Sequence, residues 1–315
     1  MNTALKLLKA AADPSRLRLL ALLAGGEATV GELVEVLGQS QPRVSRHLRI
    51  LGEARLVSHF RDGQWMYYRL DAAPNISVVA EQLIALARLR DESIAGDAAR
   101  MAQIRQRRER YALTAPAGSP LWAESAGDRP REAALAQALA SALGAGPVGD
   151  VLDIGVGSGT LLRQLAPRAR TAVGLDTARS MRVLARSRLQ QAGLAHCTIR
   201  AGDMHALPFP DMSFDVVVLD EVLSLAEDPQ AALSEAVRVL RPAGRLLVLD
   251  RILPAALHLA ARPAGRGLFE NQLAVMLREA GLRPGLPAWF PGRALGYALL
   301  CATTAAPRRR TGTDG

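Results

Sequence analysis

Leucines recur at helical spacing over residues 14–24, PSRLRLLALLA, which predicts a helix capped by Asp13 with Pro14 at its first position. Gly25 and Gly26 stop it. Thr29 and Glu32 are spaced as a capping box for a short helix, GELVEVLG, which Gly38 closes. Ser40 is placed to cap the next helix, QPRVSRHLRILGEA. Two helices joined by the tight turn Gly38-Gln39-Ser40 form a helix-turn-helix pattern. The stretch VSHFRDGQWMYYRL follows, with Asp62-Gly63 as a hairpin turn between β-prone runs. A hairpin in that position is a wing.

Residues 75–113 read as a long helical region with a break expected near Gly96. Its apolar stripe (Val78, Val79, Leu83, Ile84, Leu86, Ala87, Leu89) is more than a small wing domain can bury. The run RMAQIRQRRERY is strongly basic, and TAPAGSP, residues 114–120, has linker composition. Beyond it, helical and strand patterns alternate: REAALAQALASAL, GDVLDIG, TLLRQLAP, TAVGLD, a helix over 177–192, CTIRAGD, SFDVVVLD, a helix over 229–240 and GRLLVLD. That alternation implies a doubly wound parallel sheet. The fold class is therefore two domains, one mainly α with a β-hairpin wing and one α/β and Rossmann-like. The expected boundaries are the helix-turn-helix and wing at 1–74, further helices and a linker at 75–120, the α/β domain at 121–304 and a frayed tail at 305–315.

Composition narrows the function classes. Of 315 residues, 49% are hydrophobic and 22% charged, which is a globular rather than a disordered balance. The formal net charge of +9 favours a polyanionic partner. Cys197 and Cys301 are the two cysteines and sit in no metal-ligand pattern, so neither a disulfide framework nor a cysteine zinc site is expected. No apolar run approaches the roughly 20 residues a membrane helix needs, and the N-terminus lacks a signal-peptide pattern. The expectation is a cytoplasmic protein with no metal and no membrane partner.

On a helical wheel, Val44, Leu48 and Leu51 share the inward face of QPRVSRHLRILGEA. Pro42, Arg46 and Arg49 point the other way, flanked by Arg43 and Ser45, while Ile50 falls near the exposed side. Gln39, Ser40 and Gln41 stand at the N-terminal end, which a recognition helix presents to base edges. Arginine, serine and glutamine suit guanine, adenine and phosphate. The wing adds Arg61, Gln64 and Arg69 as backbone or minor-groove contacts. Trp65 and Tyr67 alternate with Met66 and Tyr68, so one pair faces inward. The DNA-contact candidates are Gln39, Ser40, Gln41, Arg43, Ser45, Arg46, Arg49, Arg61 and Gln64, and the partner is double-stranded operator DNA. This segment, about residues 5–72, resembles the ArsR-type winged helix family, most closely in LGQSQPRVSRHLRIL and DGQWMYYRL. The resemblance implies a homodimer on a palindromic operator. Many such proteins sense metals through cysteines in the helix before the recognition helix. Here that helix holds no cysteine or histidine, and Glu32 and Glu35 read as surface charge, so the effector acts elsewhere.

VLDIGVGSGT, residues 151–160, links a strand to a helix through Gly155, Gly157 and Gly159. Asp153 just before the turn would repel a pyrophosphate but welcome an ammonium and a sulfonium. Thr160 stands where a dinucleotide fingerprint has its third glycine, which also weighs against NAD. Asp176 ends the next strand and suits two ribose hydroxyls. Asp203 after the third strand suits an adenine amino group, with Met204 flanking the ring. This region, about residues 130–304, resembles the class I S-adenosylmethionine-dependent methyltransferases, closely so in GDMHALPFPDMSFDVVVLDEVLSLAEDPQAALSEAVRVLRPAGRLLVLD. The resemblance implies a sheet of about seven strands with the last antiparallel. It carries Asp153, Gly155, Gly157, Gly159, Asp176, Asp203 and Met204 over as contacts to S-adenosylmethionine or S-adenosylhomocysteine.

Catalytic residues stay unassigned. Asp220, Glu221 and His258 are placed to act on an acceptor, and neither an Asn-Pro-Pro-Tyr-like nor a Pro-Cys motif of DNA-base methylation is present. The combination of reader and methyltransferase-like domain resembles repressors of methionine-cycle genes that respond to S-adenosylhomocysteine. The expected function is thus a nucleoside-responsive repressor, with the helix over 75–113 as the coupling element. The alternative is a working methyltransferase for a small molecule with a DNA-binding regulatory domain.

Overall fold

The structure is a computed structural model that describes residues 3–71, 73–88, 92–114, 130–254, 268–290 and 296–304. The linker at 115–120, His258 and the tail at 305–315 lie outside the described residues. The chain forms two compact units, one of residues 1–116 with 179–201, the other of residues 117–178 with 202–315.

The first unit opens with α1 (Thr3–Ala11) and α2 (Pro14–Ala24). The Asp13 side chain accepts the Arg16 amide at 3.1 Å and so caps α2. The short strand β1 (Ala28–Thr29) leads into α3 (Val30–Leu37), whose capping box between Thr29 and Glu32 is complete. Gly38 ends α3 in the left-handed region. α4 (Gln41–Glu53) follows with Ser40 at its N-cap position, but the serine side chain makes no capping bond. β2 (Val57–Asp62) and β3 (Trp65–Leu70) pair antiparallel, and β1 joins the outer side of β3. The hairpin loop is Gly63-Gln64, one residue later than the Asp62-Gly63 expected, because Asp62 pairs with Trp65 as the last strand residue.

α5 (Pro74–Arg88) and α6 (Glu92–Thr114) complete this stretch. α6 runs through Gly96 unbroken, contrary to expectation, since one glycine in a long helix costs only about 1 kcal/mol. Leu19, Leu20, Leu33, Val44, Leu48 and Leu51 form the core with Ile84, Met101 and Ile104 of the later helices. Val78 and Leu86 stay 56% and 64% exposed on α5. Ile50 is half-buried against the core.

Further along the chain come α7 (Glu132–Leu143), β4 (Gly149–Ile154), α8 (Thr160–Leu165) and β5 (Ala169–Asp176) of the second unit. The next two elements, α9 (Arg179–Gln191) and β6 (Cys197–Ala201), belong to the first. The second unit resumes with β7 (Phe214–Asp220), α10 (Pro229–Arg238) and β8 (Leu240–Leu253). It ends with β9 (Leu268–Phe269), α11 (Glu270–Glu279), β10 (Leu282–Pro284), β11 (Ala288–Phe290) and β12 (Tyr297–Thr304). Its strands run in the order β10-β12-β8-β7-β4-β5, with β11 on β12 and β9 on β8. β4 pairs parallel with β5 and β7, and β7 with β8. β12 is antiparallel to β8, as expected of the last strand. The runs VLDI and FDVVVLD are mostly apolar and buried almost throughout, as expected where helices cover both faces of a parallel sheet.

What ties α9 to the first unit is a buried charge cluster. Arg186 holds Asp62 at 2.5 Å and Glu27 at 3.0 Å, Arg182 holds Asp62 at 3.0 Å, and all four side chains are buried. The Arg186 guanidinium also lies 4.0 Å from the centre of the Tyr67 ring. Burial pushes the Glu27 carboxyl up, and Arg186 only partly offsets it. Burial pushes Asp62 the same way, but two guanidiniums outweigh it and leave Asp62 below the usual range. Arg186→Met would take the ion-pair partner from the buried Glu27 and leave Asp62 with Arg182. It is expected to cost about 3–5 kcal/mol in urea unfolding, and an unchanged midpoint would show the cluster to be energetically idle.

Candidate functional site

The outward face of α4 is built by what faces inward. Val44, Leu48 and Leu51 are fully buried, which leaves Gln41, Arg43, Arg46 and Arg49 exposed and Ser45 half-buried. Ser40 is exposed as well. Gln39 is half-buried and donates its amide to Ser15 Oγ at 2.8 Å, which ties the turn to α2. Arg61 donates to the Gly63 carbonyl at 2.9 Å within the hairpin loop, beside an exposed Gln64. Arg49 lies 3.9 Å from Glu53 one turn on. Among the described residues, Ser40, Gln41, Arg43 and Arg46 are all exposed.

Three charged side chains near the reader have defined partners. Arg69 reaches Ser58 and Thr198 and lies over the Phe60 ring. Glu32 is not surface charge: it caps α3 and pairs with Arg108 at 2.8 Å. Glu35 does lie at the surface, held by Arg107 at 2.8 Å. Of the aromatic pairs, Tyr67 is buried and stacks on Phe60, whereas Trp65 and Met66 are exposed.

In the second unit the glycine turn follows β4 directly. Gly155 sits at φ 82°, and a Cβ there would meet the Asp220 carbonyl oxygen at 2.7 Å and press into Val222. Glycine is therefore required for the chain to turn this close to the end of β7. Gly157 and Gly159 also have positive φ. Asp153 is fully buried one residue before the end of β4. Asp176, at the end of β5, accepts the Gly157 amide at 3.0 Å and the Ala178 amide at 2.7 Å. The second acid thus holds the glycine loop that follows the first. Asp203 is exposed, with its carboxylate on the His205 amide and ring Nδ1, both at 2.9 Å. Those bonds hold Asp203 below the usual carboxylate range. Met204 packs against the core beneath. His205 was not singled out in the sequence; Asp203 accepts its backbone amide two residues on, as aspartates in turns do.

A second polar group lies at the ends of β7, β8 and β12. Glu221 has φ 56°, an uncommon conformation outside glycine, and accepts the Tyr297 hydroxyl at 2.9 Å. Arg251 donates to the same hydroxyl at 3.3 Å. Asp250 is fully buried and accepts Ser224 Oγ at 2.6 Å and the Ser224 amide at 3.0 Å. Sequence reading found Asp220 and Glu221 but missed Ser224, Asp250, Arg251 and Tyr297. Asp250 carried the same signal as Asp153 and Asp176, an acid at a strand end. Among the described residues, no group of three or more His, Cys, Asp or Glu is placed to hold a metal ion. Nor is any described helix long and apolar enough to cross a membrane.

Burial raises the Asp250 carboxyl to about 6, against the pull of its Ser224 bonds. Its folded value lies above its unfolded one, so stability falls as pH rises through the window between them, from about 4 to about 6. Asp250→Asn removes the charge. The variant is expected to match wild type near the lower limit and to gain on it by up to roughly 3 kcal/mol by neutral pH. Urea midpoints at both limits check this, and a gap that does not widen with pH refutes it.

Comparisons with known proteins fall on these two regions. Residues 13–59 match the family model of bacterial regulatory proteins of the arsR family, and residues 152–248 match that of a methyltransferase domain. The transcriptional repressor SdpR of Bacillus subtilis is 44% identical over 63 residues, which span 20% of this chain and 70% of that protein. An uncharacterized methyltransferase of the same organism, YcgJ, is 34% identical over 104 residues, 33% of this chain and 41% of that protein. The ubiquinone/menaquinone biosynthesis C-methyltransferase UbiE of Roseobacter denitrificans is 41% identical over 103 residues, 32% of this chain and 41% of that protein. The matched segments thus span about two fifths of the length of these two methyltransferase relatives. The solved structure of the Bacillus YcgJ protein aligns over 56% of this chain and all of its own, at TM-score 0.47 and 20% identity.

Proposed function

We propose that this chain, which belongs to the ArsR family of bacterial regulatory proteins and carries a methyltransferase domain behind the reader, is a repressor whose methyltransferase domain is its effector receptor. The effector is S-adenosylmethionine or S-adenosylhomocysteine, and methionine-cycle genes are the targets. One observation carries the effector half of the reading. Asp153 and Asp176 bracket a glycine turn that Asp176 itself holds in place. A buried acid beside bare backbone suits an ammonium and a sulfonium, and a strand-end acid suits a ribose.

The DNA half rests on the exposed side chains of α4, with Gln41, Arg43, Arg46 and Arg49 towards bases and phosphates and the hairpin loop alongside. A homodimer is supported by Leu8, Val78 and Leu86, large apolar side chains left in solvent on α1 and α5. A two-fold dimer suits half-sites one DNA turn apart, roughly 34 Å. Coupling is supported by the chain itself. α9 begins three residues after Asp176, and the hairpin grips it through Asp62. Glu109 of α6 accepts Gln191 at 2.7 Å, so the helical stretch over 75–113 holds α9 as well. A nucleoside that repositions Asp176 acts at the root of that helix, and its effect on DNA equals its differential affinity for the two states.

A second reading has one observation in its favour: the Glu221, Arg251 and Tyr297 group at the strand ends. Methyl transfer from a sulfonium needs positioning more than a strong base, so this group suits an acceptor site for a small molecule. The UbiE relative, by its name, methylates carbon in a quinone pathway.

Calorimetry with both nucleosides, followed by gel shifts on DNA upstream of the protein's own gene, tests the receptor reading. A sensor is expected to prefer one nucleoside at least tenfold and to change operator affinity with it, a tenfold preference being about 1.4 kcal/mol. Uptake of neither nucleoside at millimolar concentrations ends the proposal. Asp176→Ala is expected to weaken nucleoside binding at least tenfold and leave DNA binding of the ligand-free protein intact. Arg46→Ala is expected to do the reverse, at a cost of roughly 1–3 kcal/mol in operator affinity. Equal damage to both activities from either variant counts against two separate sites.

A further inference from the structure

In the second unit, four arginines gather where β4 begins, and two acids match two of them. Arg170 Nε lies 3.0 Å from Asp150, and Arg241 lies 2.8 Å from Asp150 and 2.6 Å from Asp215. Arg168 and Arg245 differ, since among the described residues neither pairs with a carboxylate. Arg168, directly before β5, donates Nε to the Gly146 carbonyl at 3.0 Å and Nη2 to the carbonyls of Gly144 and Gly146. Arg245, in β8, donates Nη1 to the Leu143 carbonyl at 2.7 Å. Their strands are separated by β7 and β4, yet both side chains reach the C-terminal end of α7. Two like charges are thus drawn to one helix end. That end supplies only about half a negative charge, so more than one positive charge is left over.

Both arginines line an open cavity of about 1020 Å³ at the amino ends of the strands. That is the upper end of small-molecule sites. The carbonyls take three guanidinium nitrogens and leave Arg168 Nη1 and Arg245 Nε and Nη2. These three are not among the buried atoms that lack a partner, so they are open to a group arriving from outside. A phosphate monoester has about two negative charges and three acceptor oxygens, which match the surplus and the donors in number. A phosphodiester of nucleic acid brings one charge and two such oxygens. Asp215 also lines the cavity. Its bonds to the Asp150 amide and Arg241 both fall on Oδ2, which leaves Oδ1 to accept a hydroxyl.

We propose that this cavity binds the phosphate monoester of a small hydroxylated molecule, with the phosphate on Arg168 and Arg245 and a hydroxyl on Asp215. The site lies at the opposite end of the sheet from Asp153 and Asp176 and gives the methyltransferase domain an input separate from the nucleoside.

Ribose 5-phosphate is the probe, titrated calorimetrically into the full-length protein. Saturable binding of one molecule per chain is expected, with ribose and dimethyl phosphate each at least tenfold weaker. Arg245→Gln keeps an amide donor for the Leu143 carbonyl and removes the charge, and it is expected to weaken ribose 5-phosphate at least tenfold. Ala145→Glu is the independent variant. It sets a carboxylate at an exposed position of the lining and leaves both arginines in place. It is expected to weaken the probe as much without changing the thermal midpoint. The proposal is overturned by no saturable binding at millimolar concentrations, by ribose or dimethyl phosphate binding as tightly as ribose 5-phosphate, or by either variant retaining full affinity.

Discussion

Arg186 is the side chain on which the organisation of the chain turns. It sits midway along a helix that follows a sheet strand in sequence, yet its charge is met by Glu27 and Asp62, which precede it by more than a hundred positions. An arginine buried to this degree cannot shed its proton, so both carboxylates must remain beside it or be replaced by water. The hairpin and α9 are thereby held as one body. The compact units cross the order of the sequence for this reason, with residues 179–201 grouped with the reader.

The same logic of fixed charge organises the sheet. Asp153, Asp176, Asp220 and Asp250 all stand at the carboxyl ends of their strands, where the parallel arrangement gathers loops and helix N-termini. At the opposite ends, Asp150 is held by Arg170 and Arg241, which pull its carboxyl down to about 2 despite partial burial. One end of the sheet is therefore locked by matched ions and the other carries acids whose bonds are mostly to backbone. Asp176 is bound by two backbone amides and Asp203 by the amide and ring of His205.

Both folds were legible because their signals are local. Capping at Asp13 and Thr29, the left-handed Gly38 and the alternation of strand and helix each depend on neighbours a few residues away. The strand-end acids were legible for the same reason. Long-range pairing was not. Arg182 and Arg186 in RSMRVLARSRLQQ look like a solvated helix face, and only the tertiary fold shows Asp62 and Glu27 waiting for them. Tyr297 joins Glu221 across 76 residues, a distance that no spacing rule spans. α1 was missed because nine residues with no cap signal give a weak pattern, although Leu7, Ala10 and Ala11 bury its inner face. The hairpin turn was misplaced by one residue because Asp-Gly is a strong local signal, and a distant arginine pair needs the aspartate in the strand instead.

Charge accounting also reshapes what the net +9 means for DNA. Much of the basic excess near the reader is internal: Arg18 is matched by Asp97, Arg107 by Glu35, Arg108 by Glu32, and Arg182 and Arg186 by Asp62 and Glu27. Such ions release no counterions from a duplex, because they are already neutralised in the free protein. The arginines that remain on the outer face of α4 are Arg43, Arg46 and Arg49, the last within reach of Glu53. Fewer cations are therefore left for phosphates than the net charge suggests.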